Sequence, residues 1–348
     1  MPPFRLCLVV IARDEAPRIA RLLDSLRPWV DEMLVLDTGS VDATPQIAAA
    51  HGARVEHFRW CEDFSAARNR ALELAAADWH LVLDAEEWLI AGGETLQALR
   101  ELPPDFVGCL SLRDEFHDEG QRREVSQWLS RLLPGAVRYA GRVHEQPQHR
   151  LALRQLELLI GHDGYQPERL AAKQGRNRAL LLQALQAAPG DAYLHYQLGK
   201  DCAVYEEHEP AEAAFARAAE LAPDDAPWWT DLVVRRIFGL KRLKRHEAAI
   251  AFAEPQMLRC AESPDFFFAL GDLLLDFAAD EPARGEALLP LIEQAWRACL
   301  DLGERPEQAG AVAGRGSHLA ARNLALLLDA TGREAEASAL RAAHPRPA

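Results

Sequence analysis

Two carboxylates separated by one residue follow a hydrophobic segment early in the chain. Asp84-Ala85-Glu86 comes directly after Trp79-His80-Leu81-Val82-Leu83. If that segment is a strand, both carboxylates project from its carboxyl end on the same side. Such a pair suits Mg²⁺ or Mn²⁺, which binds one or two carboxylates and leaves its other positions to water and substrate phosphate. The same residues can also cap a helix, so the motif alone leaves two interpretations.

A second polar group follows the apolar segment Met33-Leu34-Val35-Leu36. Asp37 can accept the imino N–H of uracil or thymine, and Gly39 and Ser40 provide a tight turn beside it. An Asx-type turn that leads into a helix explains Asp37 equally well.

Arg68 and Asn69 lie on a helix predicted from about Ser65 to Ala76. Their side chains can donate charge-assisted and amide hydrogen bonds to a base or a diphosphate. They can equally be ordinary solvent-facing residues of that helix.

Strands that alternate with helices position these groups. Leu6–Ile11 is typical of a buried strand, and Ile19, Leu22, Leu23 and Leu26 recur at the spacing of an amphipathic helix. The alternation predicts right-handed crossovers and a mainly parallel α/β sheet, whose ligand site lies beyond the carboxyl ends of the strands. The polar groups found at those predicted ends are Arg13-Asp14-Glu15, Asp37-Thr38-Gly39-Ser40 and Asp84-Ala85-Glu86-Glu87.

Composition narrows the function classes. A formal charge of −14 argues against a general affinity for nucleic acid or anionic membrane, because both require a basic face. No apolar segment approaches the ~20 residues that a membrane span requires. The six cysteines are scattered without the close pairs of a zinc or redox site, which favours reduced thiols in a cytoplasmic protein.

The second half of the chain predicts a helical repeat. A 34-residue helix-turn-helix unit that begins at Ala192 places small and aromatic residues at the positions typical of tetratricopeptide repeats. These positions are Leu198-Gly199, Ala211, Phe215, Ala218 and Pro223. Leu270-Gly271 and Gly332-Arg333 indicate later helix pairs. We therefore predict an α/β domain over residues 1–165 and an all-α tetratricopeptide superhelix over residues 166–348, which either binds a polypeptide or only supports the first domain.

Several segments together resemble family 2 glycosyltransferases of the GT-A fold, and in particular the branch fused to tetratricopeptide repeats that includes peptide S-glycosyltransferases. The resemblance covers about the first 165 residues. The segments that carry it are Val10-Ile11-Ala12-Arg13-Asp14-Glu15, Val35 to Thr44, Trp60 to Asn69, Leu83 to Glu87, Tyr139 to Gln146 and Gly161-His162-Asp163-Gly164-Tyr165.

This resemblance implies a nucleotide-sugar site that uses Mn²⁺ or Mg²⁺. The family's metal motif is usually Asp-x-Asp, whereas this chain has Glu86 at the second position. The metal ligands that the resemblance suggests are Asp84, Glu86 and His162. The residues that it suggests for the nucleotide sugar are Ala12, Arg13, Glu15, Asp37, Gly39, Ser40, Arg68, Asn69, Asp84, Trp128 and Arg131.

The resemblance also implies inversion at the anomeric carbon, which requires a base for the acceptor. Glu145 is the first candidate and His144 the second, and a strand would place the two on opposite faces. Asp114 or Glu115 is the third. His162 can instead be a buried histidine that the backbone satisfies.

The expected donor is a UDP- or dTDP-sugar, and the expected acceptor is a protein or peptide recruited by the repeats. A glycan or lipid-linked acceptor in surface polysaccharide synthesis is the alternative within enzymology. A repeat adaptor that carries an inactive transferase domain is the non-enzymatic alternative.

Overall fold

The computed structural model describes residues 3–118, 121–162 and 175–346, and of residues 114–127 and 176 it describes the backbone alone. By internal contacts the chain divides into two units, residues 1–184 and 185–348. The predicted division between residues 165 and 166 lies outside the described residues and stays a prediction.

One large sheet organises the first unit. Its described residues contain ten strands: β1 Leu6–Ala12, β2 Glu32–Asp37, β3 Arg54–His57, β4 Trp79–Asp84, β5 Glu87–Ala91, β6 Phe106–Asp118, β7 Gln121–Pro134, β8 Arg138–Ala140, β9 Gln146–Gln148 and β10 Ala152–His162. Eight of them form a sheet in the order β3-β2-β1-β4-β7-β6-β10-β5, and β8 and β9 form a separate hairpin. β7 and β5 run against the other six strands, so the prediction of a mainly parallel α/β sheet is confirmed.

Three of the described helices, over residues 19–26, 44–50 and 64–75, match helices predicted from the sequence. The described helices are α1 Ile19–Leu26, α2 Thr44–Ala50, α3 Phe64–Ala75, α4 Gly93–Leu99 and α5 Arg176–Ala187. Asp63 begins α3 by accepting a hydrogen bond from the Ala66 amide at 2.9 Å, and Ala76 ends it in the left-handed conformation.

The alternation of side chains along β1 produces two cores. Leu6, Leu8 and Val10 pack in one apolar cluster with the fully buried residues of α1. Cys7 and Val9 pack in another cluster on the other face of the sheet, with small residues of α3. Because both faces of β1 are buried, its sequence is continuously apolar instead of alternating between apolar and polar residues.

The described part of the second unit is helical. Its helices are α6 Ala192–Val204, α7 His208–Leu221, α8 Trp229–Arg242, α9 His246–Ala253, α10 Pro264–Asp280, α11 Gly285–Leu302, α12 His318–Ala330 and α13 Glu334–Ala343. None of the described helices of either unit is long and apolar enough to span a bilayer.

Small residues let paired helices approach as the tetratricopeptide pattern predicts. A Cβ on Gly199 of α6 would lie 2.5 Å from the Phe215 ring of α7, and a Cβ on Gly271 of α10 would lie 2.6 Å from Trp296 of α11. Gly332 lies in the turn between α12 and α13. The predicted positions are therefore confirmed as helix-packing positions.

Candidate active site

Asp84 ends β4 and contacts two arginines. Its Oδ1 accepts from Arg68 Nη2 at 2.7 Å, and its Oδ2 accepts from Arg131 Nη2 at 2.9 Å. Its side chain keeps 35% of its exposure, because the carboxyl end of the sheet is open there. The Asp84 amide donates to Glu87 at 2.8 Å, which closes the turn between β4 and β5.

Arg68 joins Asp84 to a second carboxylate. Its Nε donates to Glu145, and both side chains are largely buried. The Nη1 of Arg68 is buried and has no hydrogen-bond partner among the described residues, and the same holds for the hydroxyl of Tyr139, whose ring lies 5.5 Å from the Arg68 guanidinium carbon. Buried donors in this state indicate a ligand or water that completes their hydrogen bonds.

A β-bulge directs Arg131 towards Asp84. On β7, Leu132 pairs with Gly108 and Ser130 pairs with Cys109, so Arg131 is the extra residue between two consecutive pairs. The β4–β7 pairing ends at Leu81↔Leu132, directly before this bulge. The bulge thus re-aims a side chain towards the open carboxyl end of β4.

These five residues, Arg68, Asp84, Glu87, Arg131 and Glu145, form what we call the carboxyl-edge cluster. Burial tends to raise the pKa of Asp84, but Arg68 and Arg131 outweigh it and hold that pKa well below its ordinary value. Burial raises the pKa of Glu87 to about 7, although Arg131 opposes the shift. Asp84 is thus a stable anion, whereas Glu87 is a carboxyl group that binds a proton more tightly.

The segment with Glu145 is a hairpin loop, which corrects one prediction. Residues 141–145 connect β8 to β9, and His144 has a φ of +52°. His144 and Glu145 are therefore not neighbours on a strand, and the expected placement on opposite faces is wrong. The loop turns at Gly141, whose φ is +100°, and this turn brings Glu145 back to Arg68.

Asn69 positions this hairpin. Its amide donates to the carbonyl of Tyr139 at 2.9 Å and accepts from the Tyr139 amide at 2.8 Å. Both polar atoms are engaged with the backbone, so this arrangement does not support the predicted contact with a nucleotide sugar. Arg68 and Asn69 are adjacent in sequence, but one holds the Glu145 side chain and the other holds the strand before it.

The loops after β1 and β2 bind each other. The Asp14 amide donates to Ser40 Oγ at 3.0 Å, and the Val41 amide donates to Asp14 Oδ1 at 2.8 Å. Glu15 donates from its amide to Thr44 Oγ1 at 2.7 Å. The two loops therefore form one rim beyond the carboxyl ends of adjacent parallel strands.

Asp37 lies on this rim, and its carboxylate accepts hydrogen bonds from the backbone that follows it, as in the predicted Asx-type turn. It accepts from the Gly39 and Ser40 amides, each at 3.2 Å, and lies 3.3 Å from His57 Nδ1. Ala12, opposite Asp37 in the β1–β2 register, accepts at its carbonyl from the Thr38 amide at 2.9 Å. Asp37 is therefore buried and held in one position on this rim.

The remaining predicted residues lie around these elements. Arg13 is exposed, and Glu15 accepts from Arg18 at 2.5 Å. Trp128 lies on β7 opposite Ser111. The side chains of Asp114 and Glu115 and the residues of Asp163-Gly164-Tyr165 lie outside the described part of the chain.

A divalent metal would find two suitable donors here. Glu86 Oε1 and His162 Nε2 lie 3.1 Å apart. Two ligands at right angles on one octahedral ion, with bonds of about 2.1 Å, are separated by about 3 Å. The two side chains share a hydrogen bond in this structure, and their spacing also suits two ligands of one ion. Carboxylate with imidazole is a donor set that Mn²⁺ accepts.

Asp84 is not placed with this pair, because both its oxygens accept from arginines. Over the described ranges, no three His, Cys, Asp or Glu side chains gather into a metal-binding group. The predicted trio of Asp84, Glu86 and His162 is thus divided into an arginine-bound carboxylate and a two-donor pair.

Two residues of the site were missed by sequence reasoning. Glu87 belonged to the acidic run after β4, and Tyr139 belonged to the segment that carries Glu145, but neither was assigned a role. The signal for Tyr139 was an aromatic residue six positions before the candidate base. Its contact with Arg68 is visible only in three dimensions.

Comparison with known proteins shows which family has a similar sequence around this site. The family model described as glycosyl transferase family 2 matches residues 7–151. Over those residues the chain is similar to family 2 glycosyltransferases. The match includes β2 to β4, all of β1 but its first residue, and the whole carboxyl-edge cluster.

Curated relatives have similar chains. A tetratricopeptide repeat-containing protein of Synechococcus elongatus is 39% identical over 214 residues, which are 57% of this chain and 52% of that protein. The prophage-derived glycosyltransferase SunS of Bacillus subtilis is 27% identical over 212 residues, 58% of this chain and 50% of SunS. An uncharacterised glycosyltransferase of Rickettsia felis is 39% identical over 80 residues, 23% of this chain and 28% of that protein. This chain thus spans about half the length of the first two relatives.

These findings confirm the predicted recognition. The family 2 glycosyltransferase domain is followed by helix pairs of the tetratricopeptide type, and relatives named for each part match the chain.

Proposed function

We propose that this protein transfers a sugar from a UDP- or dTDP-sugar to a polypeptide, with inversion at the anomeric carbon and dependence on Mn²⁺ or Mg²⁺. The observation that carries this proposal is the carboxyl-edge cluster with two buried donors that have no partner among the described residues, Arg68 Nη1 in the cluster and the hydroxyl of the neighbouring Tyr139. Hydrogen-bond donors placed in advance beside a carboxylate suit a reaction in which an anionic group departs while a proton is taken up.

Glu145 is the base in this proposal. As the acceptor atom bonds to the anomeric carbon, the bond from that carbon to the diphosphate oxygen breaks, and the acceptor's proton goes to Glu145. Arg68 and the Gly141 turn hold the carboxylate in one place. His144, which precedes it in a left-handed conformation, is the competing candidate.

Arg68 and Arg131 supply positive charge beside the departing diphosphate. Asp84 fixes both guanidinium groups, so they need not reorganise as negative charge develops. A metal held by Glu86 and His162 would supply further neutralisation of the diphosphate. Asp37 is the proposed partner of the pyrimidine base, which would meet the rim formed by the first two loops.

A polypeptide acceptor is supported by the second unit. Tetratricopeptide-type helix pairs present extended surfaces that commonly bind peptides. The proposed division of labour leaves the nucleotide sugar to the first unit and acceptor choice to the second.

Donor binding and hydrolysis test the first part of the proposal. Isothermal titration with UDP and dTDP, with and without Mn²⁺, should show metal-dependent binding. Glu86→Gln and His162→Asn should weaken the metal effect, whereas Glu73→Gln, an exposed change on α3, should not. Absence of nucleotide binding under every metal condition would contradict enzymatic activity and favour the adaptor.

Acceptor identity is tested separately by mass spectrometry. Incubation of the full chain with an isotopically labelled nucleotide sugar and a cell extract should label protein. Label found only in glycan or lipid fractions would reject the polypeptide acceptor but retain sugar transfer.

A further inference from the structure

A cavity in the second unit is lined by none of the residues of the candidate active site. It has a volume of about 260 Å³ and lies between α7, α8 and the long loop that connects α11 to α12. Its apolar wall includes Phe215, Val234 and Phe238, and its charged side chains are Arg235, Arg242, Arg315 and Asp231. Three arginines on one small cavity are unexpected in a protein with a formal charge of −14.

Two of these arginines are fixed by buried carboxylates. Arg235 Nε donates to Asp231 at 2.6 Å, and Asp231 also accepts from the Tyr196 hydroxyl. Arg315 Nη1 donates to Asp265 at 2.7 Å. Since both carboxylates are at most 5% exposed, they hold the guanidinium groups in defined positions.

The carboxylates do not cancel the positive charge. Arg242 is exposed and makes no ion pair with any described residue. Lys200 of α6 is another nearby cation, and its pKa is lowered to about 8 by burial first and by Arg235 second.

The loop of residues 303–317 forms one wall of the cavity. Gly310 approaches Asp231 so closely that a Cβ there would lie 1.9 Å from its Oδ1, and the Val312 amide donates to Asp265 at 3.2 Å. Connections of this length without helix or strand are often functional. The same two carboxylates thus fix both the arginines and the loop.

We propose that this cavity binds a segment of the acceptor polypeptide in which a carboxylate neighbours an apolar side chain. This inference rests on the proposed polypeptide acceptor and names its chemistry. The arginines match the carboxylate, and the phenylalanine rings match the apolar group. The volume is below the range of pockets for whole small-molecule ligands, which favours one or two residues of a longer chain.

The test uses the full chain and two pools of fluorescently labelled hexapeptides. Both pools carry randomised apolar residues, with two glutamates in the first and two glutamines at the same positions in the second. Fluorescence anisotropy should show that the acidic pool binds about tenfold tighter or more, because charge-assisted hydrogen bonds are lost with the amides. Raising the salt concentration should reduce this preference.

Arg242→Glu should remove the preference for the acidic pool. Arg242 supports no described ion pair, so its replacement should leave the fold intact. Arg217→Glu on α7 is the matched control, because that arginine is half exposed, pairs only with nearby Glu220 and does not line the cavity. Binding by this control should equal that of the unmodified protein.

Equal binding of the two pools, or an unchanged preference in Arg242→Glu, would overturn the inference. Competition by millimolar acetate or phosphate as effective as that by the acidic peptides would overturn it as well, since the cavity would then bind small anions. UDP binding measured on the same samples keeps the two proposals separate. Loss of peptide selectivity with intact UDP binding rejects only the cavity, whereas missing UDP binding in the unmodified protein rejects the transferase.

Discussion

Four of the five charged side chains of the carboxyl-edge cluster are at most 15% exposed, whereas ion pairs that link successive helix pairs of the second unit lie at the surface. Arg68 is 7% exposed where it pairs with Asp84 and Glu145. In the second unit, Arg245 and Glu209 are 48% and 61% exposed. Buried charges are costly unless fully paired, and exposed pairs contribute little.

We call three exposed contacts of the second unit the inter-repeat ladder: Arg245–Glu209, Lys244–Asp280 and Arg284–Glu247. Their partners are 36, 36 and 37 residues apart, close to one repeat. The ladder follows from repetition, whereas the cluster joins residues with no periodic relation. The cluster therefore belongs to one place in the fold, whereas the ladder recurs with the repeat.

The largest expected effect is on catalysis in the cluster. Glu145→Gln should reduce transfer to a hydroxyl or amide acceptor by ~10²- to 10⁴-fold, because the amide cannot take the acceptor's proton. A thiol acceptor should show a smaller defect, since cysteine is already partly ionised near neutral pH. Initial transfer rates and nucleotide binding should be measured together, and binding should survive.

Glu73→Gln is the control for this change, as Glu73 is an exposed carboxylate on α3. Near-normal transfer by Glu145→Gln would reject Glu145 as the base. His144→Ala would then be the next variant to measure.

The next largest effect is expected on the free energy of unfolding, which should differ between a buried and an exposed arginine of α3. Arg68→Met removes the cation between Asp84 and Glu145 and should lower the free energy of unfolding by about 3–5 kcal/mol. Arg70→Met, two residues later on α3, removes an arginine that is 51% exposed and should change it by less than about 0.5 kcal/mol. Urea denaturation measures both, and equal losses would contradict the comparison.

Acidification should destabilise the first unit through His80. This residue is fully buried on β4, and burial, with a smaller effect of Arg138, lowers its pKa from 6.5 to about 4. The folded state favours the neutral ring, so this stability is complete above pH 6.5 and is lost as the pH falls towards 4. Between pH 7.5 and pH 5 the loss should be about 2 kcal/mol.

His80→Gln should reduce that pH dependence of the free energy of unfolding, measured with urea at both pH values. His57→Gln, at a histidine that is 72% exposed, should leave it unchanged. A full pH response in His80→Gln would show that buried His80 is not its source.

The smallest effect is expected in the ladder. A double-mutant cycle of Arg245→Ala and Glu209→Ala should give a coupling energy of about 0.2–1 kcal/mol, because solvent and salt screen this pair. Thermal unfolding at low and high salt would measure it. A coupling of several kcal/mol would remove the distinction between cluster and ladder.

Local pattern was sufficient for much of the fold. The strand predicted at Trp79–Leu83 is observed at Trp79–Asp84, and the helix predicted from Ser65 to Ala76 is observed at Phe64–Ala75. The 34-residue spacing correctly placed Gly199 and Phe215 against each other. Periodicity and packing between close neighbours are local, so one sequence displays them.

The second half of the sheet was less visible. The apolar pattern did not predict the long β6–β7 hairpin or the full length of β10 from Ala152 to His162. Many of these residues are polar, so the alternation of apolar and polar side chains that indicates a strand is weak. Strand pairing, not apolar periodicity, defines these elements.

The sequence by itself determined which residue types end the first strands, and therefore that Asp37, Asp84 and their neighbours lie at one edge of a sheet. Only the tertiary structure decided their partners. Arg68 meets Glu145 across 77 positions, and Glu86 meets His162 across 76. Those contacts depend on a hairpin turn at Gly141 and on strand register, which are set by packing and backbone hydrogen bonds between distant segments rather than by the residues adjacent in the chain.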